Sequence, residues 1–200
     1  MGDWIDTIVS AWTGHRQFAE WLVQTMNPEM IVELGVDQGF STFVFATAQK
    51  KVGEGKMAGI DSFKGDDHAG FADHYDQVLK NKNEYNLDNL SIIRADFTDV
   101  SKIWCNPIDI LHIDGLHTYE AVKNDHECWS KFVKEDGIIL YHDVCVPYFN
   151  VKDFFRELEG GYKAYFTHSA GLGIFTKNKK LFDLILQTYH ACMDHSMYPL

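Results

Sequence analysis

The stretch ILHIDGLHTYE, Ile110 to Glu120, poses the chemical question of this chain. Ile108, Ile110, Leu111 and Ile113 read as a buried strand, yet the run ends in Asp114, with Gly115 next and His117 three residues on. An ionised carboxylate within a core is costly unless paired or bound to a cation, whereas one at the end of a strand can reach a cleft. The pattern recurs. VELGVDQGFST places Glu33, Gly35, Asp37 and Gly39 after another apolar run, ahead of a helix that Ser41 or Thr42 begins. AGIDSF ends in Asp61 and Ser62, a third run ends in Ala95-Asp96 before Phe97, and ILYHDV ends in His142-Asp143. A single strand-end aspartate often caps a helix or turn. Five polar ends above apolar strand bodies point to one shared site.

Glycines in the first loop let backbone approach a ligand closely. A dinucleotide site uses Gly-x-Gly-x-x-Gly to cradle a pyrophosphate. Here the spacing is Gly35-Val36-Asp37-Gln38-Gly39, with carboxylates on both sides that would repel a pyrophosphate. A cationic or neutral ligand tolerates them, and S-adenosylmethionine, with its sulfonium and ammonium groups, is such a ligand. Asp61 is placed to accept from ribose hydroxyls, and Asp96 and Phe97 to border the adenine. Histidine titrates near neutrality, so His117 is a natural proton acceptor; its structural alternative is a helix cap before Tyr119. His15 in TGHRQF and His68 in KGDDHAGF are candidates to meet the substrate, as are Tyr119 and Phe71; plain packing or surface roles are the alternatives.

These residues need a scaffold. Phe18, Trp21, Leu22, Thr25 and Met26 form a stripe at helical spacing, predicting a helix over about Gln17–Met26. Strands are expected at Met30–Leu34, Met57–Ile60, Leu90–Arg94, Ile108–Ile113, Gly137–Tyr141, Tyr162–Phe166 and Gly173–Thr176. Helices fit at about Ser41–Lys50, Ala72–Tyr85, Tyr119–Val133, Asn150–Leu158 and Lys180–Met193. The alternation predicts an α/β, Rossmann-like, mostly parallel sheet of seven strands with helices on both faces. The short link HSAGLG makes the last strand antiparallel. In such a sheet ligands bind beyond the carboxyl ends of the strands. The expected organisation is one domain over residues 1–200, with an N-terminal helical extension over about 1–28.

Bulk properties narrow the partners. The 200 residues carry 18 basic and 29 acidic side chains, a net charge of −11. That opposes nucleic-acid or anionic-membrane binding and leaves a small-molecule or glycan acceptor, with a homo-oligomer left open. Cys105, Cys128, Cys145 and Cys192 lie far apart, as free thiols of a reducing compartment do. MGDWIDTIVSAW lacks the basic start and long apolar centre of a signal peptide, and Asp6 stands where a myristoylation signal wants Ser or Thr. No window has the length of a transmembrane helix, so a cytoplasmic location is expected.

The segments WTGHRQFAEWLV, VELGVDQGFSTFVFA, GIDSFKGDDHAGF, DILHIDGLHTYEAVKND and GIILYHDV, with the late Gly171-Leu172-Gly173, carry a family resemblance from about Trp12 to Phe175. The chain resembles the class I S-adenosylmethionine-dependent methyltransferases and is similar to small bacterial ones of the sugar/glycan O-methyltransferase type. Asp37 stands where the superfamily often has Gly, and Phe63 where relatives often have Trp. The resemblance implies a cofactor held by Glu33, Gly35, Asp37, Gly39, Ser41, Asp61, Ser62, Asp96, Phe97 and Asp114. It also implies a magnesium ion on carboxylates after the fourth and fifth strands, matched by Asp114 and Asp143, with His117 as general base beside Asp114. His142 stands where those relatives have another acid. The implied metal set of Asp114, His142 and Asp143 would suit Mn²⁺ or iron as well as Mg²⁺; the alternative is that no metal binds and these residues only hydrogen-bond the acceptor. Two other classes compete: a cofactor-binding protein without catalysis, and a nucleotide-dependent Rossmann oxidoreductase, which the missing third glycine and the acidic loop oppose.

Overall fold

The computed structural model describes residues 4–67 and 70–194. Two short 3₁₀ turns, Trp4–Thr7 and Ala11–His15, lead into α1 (Arg16–Met26). There follow β1 (Met30–Leu34), α2 (Phe40–Val52), β2 (Lys56–Asp61), α3 (Tyr75–Glu84), β3 (Leu90–Arg94) and α4 (Phe97–Ser101). The second half holds β4 (Ile108–Ile113), α5 (Tyr119–Trp129), β5 (Val133–His142), α6 (Val151–Glu157), β6 (Tyr162–Phe166), β7 (Leu172–Thr176), α7 (Lys179–Tyr189) and β8 (Met193–Asp194).

All strands form one sheet in the order β3-β2-β1-β4-β5-β7-β6-β8. Strands β1 to β5 pair in parallel, and β7 runs antiparallel to both β5 and β6. The expected architecture therefore holds, with one correction: the sheet has eight strands. Residues expected to end the last helix instead turn at His190–Cys192 and place Met193–Asp194 antiparallel on β6. Two residues are too few to show a period. A further short element, α4, starts at Asp96, whose carboxylate accepts from the Thr98 amide at 2.9 Å.

Alternation along the strands sends neighbouring residues to opposite layers. Ile31 and Ile110 join a core with Phe18, Phe43, Phe166 and Phe182, under α1, α2 and α7. Val32 and Leu111 join one with Trp129, Tyr141, Phe154 and Phe155, under α5 and α6. Among the described residues no helix is long and apolar enough to cross a membrane.

A polar chain runs through the first core. Glu33 and His112 are paired across β1 and β4, and both are fully buried. The Trp12 indole N–H donates to His112 Nε2 at 3.1 Å, so the ring proton sits on Nδ1 and is donated to Glu33 Oε1 at 2.8 Å. The hydroxyls of Ser41 and Thr42, in the first turn of α2, donate to the two oxygens of Glu33. One carboxylate thus satisfies donors from β4 and α2 and, through His112, holds the segment before α1 against the sheet. Buried polar groups so paired specify a unique packing. Trp12→Phe keeps an aromatic ring but strips His112 Nε2 of its donor. The expected cost is about 1–3 kcal/mol, read from the urea unfolding midpoint.

Candidate functional site

A cavity of about 600 Å³ opens beyond the carboxyl ends of β1 to β5. The loop after β1 forms its floor. Gly35 has φ +96°, and a Cβ there would stand 1.9 Å from the Asp114 carbonyl oxygen, so the loop can lie against the end of β4 only as glycine. Gly39, at φ +87°, begins α2. Asp37 occupies a left-handed backbone position (φ +47°), and its carboxylate is 2.8 Å from His74 Nδ1. An aspartate tolerates this conformation better than most residues, which fits its place where relatives often have glycine.

Asp61 orders that loop. Its Oδ2 accepts from the amides of Val36 (2.8 Å) and Asp37 (3.0 Å), and its Oδ1 from the amide of Phe63 (2.7 Å). Ser62, Asp96 and Phe97 also line the cavity, from the ends of β2 and β3.

At the opposite end lie Asp114, His117 and Asp143. His117 Nε2 is 2.7 Å from Asp143 Oδ2 and 3.6 Å from Asp114 Oδ1. His142 Nδ1 lies 3.2 Å from Asp114 Oδ1 and 3.3 Å from Asp143 Oδ2. Two carboxylates therefore share two imidazoles. Burial alone would lower His117, but its hydrogen bonds to Asp114 and Asp143, with their charges, raise it to about 9. Burial likewise opposes charge on His142, and Asp114 above all outweighs it, raising that ring to about 10. Burial pushes Asp114 up, yet the charge of His142 and the bonds from both histidines hold it well below the carboxylate range. The Phe149 ring stacks on His117, 4.3 Å away and 9° from parallel, and fixes its plane.

Four expected contacts are corrected. Glu33 does not line the cavity; it lies inside the sheet layer, its oxygens taken by Ser41, Thr42 and His112. Among the described residues the cluster able to hold a metal is Asp114, His117 and Asp143, whose ligand atoms lie within 4.8 Å of one another. His142 stands behind it, with Nε2 3.1 Å from the Ser169 carbonyl. His15 is fully buried and donates through Nε2 to that same carbonyl at 3.0 Å, away from the cavity wall. Tyr119 turns its hydroxyl to Glu157 on α6 and packs edge-on against Phe154. Ser41 lines the cavity, although its hydroxyl serves Glu33. Phe71 is exposed beside the lining residues Gly70 and Ala72. His68 lies outside the described residues. Sequence reasoning missed His74, Phe149 and Asp125. For Asp125 a signal existed: it interrupts the apolar stripe of α5.

A model of the methyltransferase-domain family matches residues 32–144, more than half the chain and the span of β1 to the end of β5. The uncharacterized protein y4gI of Sinorhizobium fredii is 34% identical over 182 residues, covering 86% of this chain and 20% of that protein. The chain thus spans about a fifth of the length of that curated relative. Among solved structures, it is similar to a putative caffeoyl-CoA O-methyltransferase from Staphylococcus aureus. There the TM-score is 0.68 at 15% identity, over 87% of this chain and 92% of that one. An O-methyltransferase from Bacillus cereus in complex with SAH gives a TM-score of 0.65 at 17% identity, over 85% and 83%. Those likenesses show the shared fold. The chain belongs to the methyltransferase-domain family.

His15 has a measurable consequence for stability. Burial, with the charge of His142 beside it, pulls His15 down to about 3. A base lowered on folding contributes stability that is present above about pH 6.5 and lost as pH falls toward the folded value. Between about pH 6 and pH 4 this one group should remove up to about 1.4 kcal/mol per pH unit. Unfolding free energies of His15→Gln, which keeps a donor for Ser169, should fall less steeply over that range than those of the wild type.

Proposed function

We propose that this protein transfers a methyl group from S-adenosylmethionine to a hydroxyl of a small acceptor, a sugar or glycan precursor. The observation that carries this reading is the convergence of Gly35, Asp61, Asp96, Asp114, His117 and Asp143 on one cavity. A glycine floor and a row of carboxylates suit a donor bearing sulfonium and ammonium charges. The fold neighbours named as O-methyltransferases support oxygen as the acceptor atom.

The methyl donor arrives activated, so the protein's task is to align oxygen, methyl carbon and sulfur and to take the hydroxyl proton. His117 is the proton acceptor in this reading; the two carboxylates hold it protonated up to about pH 9, so turnover should rise as pH approaches that value. Phe149 keeps its ring in one plane, and Val9, an exposed lining residue, offers apolar surface on which the acceptor body can lie. Asp143 accepts from Nε2 and so orients the ring.

The donor set of Asp114, His117 and Asp143 fits a divalent cation, two carboxylates and an imidazole within ligand distance of one point. Mg²⁺ or Mn²⁺ held by Asp114 and Asp143 would supply the positive charge those carboxylates otherwise draw from the imidazoles, and would lower the pKa of an acceptor hydroxyl.

Methyl-labelled S-adenosylmethionine offered with a panel of sugar and phenolic hydroxyl acceptors tests the reading. Labelled product is expected, and His117→Ala should reduce turnover at least about a hundredfold while calorimetry with S-adenosylhomocysteine shows little change in affinity. Full activity in that variant would remove His117 from the mechanism. Binding of NAD with none of S-adenosylhomocysteine would overturn the cofactor. Chelation should slow turnover, and Mg²⁺ or Mn²⁺ should restore it in the wild type but not in Asp143→Asn.

A further inference from the structure

Asp125 is the least explained group in the molecule. It sits in the second turn of α5, is 5% exposed, and lines the cavity. Among the described residues no ion pair reaches it. Its Oδ2 lies against the backbone of Gly115: a Cβ there would stand 3.3 Å from that oxygen and 2.6 Å from the Phe97 ring. A buried carboxyl without a cation costs stability and is retained where it serves a ligand.

Its position says which part of a ligand. The strand order puts Asp96 at one end of the rim and Asp143 at the other, with Asp61 and the glycine loop between. A methyl donor must bring its sulfonium to the His117 end. Its ribose then falls near Asp61, and its base at the β3 end. There α5 is tied to α4: Trp129 Nε1 donates to the Phe97 carbonyl at 3.2 Å, and Asn124 Nδ2 to Thr98 Oγ1 at 3.0 Å. Phe97, Leu116 and Ala121 line the same cavity as Asp125 and give apolar surface for a flat ring beside its carboxyl. Asp96 is exposed and already caps α4 with one oxygen.

Resting on the cofactor assignment above, we propose that Asp125 reads the edge of the adenine, one carboxyl oxygen accepting from the 6-amino group and the other donating to N1. Adenine presents a donor beside an acceptor, and an un-ionised carboxyl presents the matching pair. An amide makes the same bidentate contact, which is how asparagine reads adenine elsewhere. The environment supports the un-ionised form. Burial raises Asp125 to about 7; a bond from Asn124 opposes this, and the charge of Asp96, the charged group facing it, adds to it. Deprotonation sets a carboxylate against the N1 lone pair, so binding weakens as pH rises.

Calorimetry of the whole chain with S-adenosylhomocysteine, from about pH 6 to about pH 8.5, tests this. The wild type should bind with constant affinity at the acid end and lose about five- to tenfold per unit above neutrality. Asp125→Asn should lose none of that factor over the same range, every other titrating group of the site and the ligand being common to both proteins. Asp125→Ala should bind about tenfold more weakly at the acid end. S-(1-deazaadenosyl)homocysteine, with C–H in place of N1, should cost the wild type about tenfold and Asp125→Ala almost nothing. An equal penalty in both proteins, or a pH profile unchanged in Asp125→Asn, would overturn the proposal. A wild type that takes up no S-adenosylhomocysteine at any pH would overturn the cofactor assignment, and this role of Asp125 with it.

Discussion

Two carboxylates at the ends of neighbouring parallel strands, about 5 Å apart by strand spacing, must have their charge compensated, and much of this molecule is arranged to do so. Asp114 ends β4 and Asp143 follows β5. Neither is left to water: His117 reaches in from the loop before α5, and His142 rises from the last position of β5. The four groups exchange charge as a unit, which is why the carboxylates are held low and the imidazoles high. A proton, a metal ion or a cationic ligand can supply the same charge at this place. That interchangeability is the physical property on which the proposed chemistry draws.

Beneath the rim lies a second polar tier built on a different rule. Glu33 and His112 point into the layer shared with α1 and α2, and their partners are internal donors. Nothing there is available to a ligand. The tier sets the height of the glycine loop above the sheet, because Glu33, Leu34 and Gly35 are consecutive and the hydroxyls of α2 close on the same carboxylate. Rim and tier differ by height along the strands: Asp114 follows His112 by two residues, in the same phase of the strand, and Asp61 stands two beyond Gly59, the partner of Glu33.

That difference in height explains what was legible in the sequence. Apolar runs bounded by glycine and aspartate marked the parallel strands, and the gathering of Asp61, Asp96, Asp114 and Asp143 at one edge follows from those strands being parallel. Glu33 looked like a rim residue because it precedes the glycine loop, yet it lies one residue inside the strand end. His15 could not be placed, since its partner Ser169 is 154 residues away. The helix read to Val133 stops at Trp129, because Ser130–Phe132 tightens into a 3₁₀ turn and Val133 already pairs with Ile108. Apolar residues continue through that junction, and hydrophobicity alone carries no mark of it. Asp125 was visible as a break in a stripe, but its meaning required knowing what the break faced.

The hairpin between β6 and β7 meets both the buried N-terminal histidine and the charged rim. Ser169, Ala170 and Gly171 adopt left-handed backbone in succession, and the Ser169 carbonyl is shared by His15 and His142. One oxygen therefore accepts a hydrogen bond from an imidazole kept neutral and another from an imidazole kept charged. Grafting in a turn of the same length but ordinary handedness would turn that oxygen elsewhere and disturb the charge balance of the pocket, although no residue that touches a ligand had been altered.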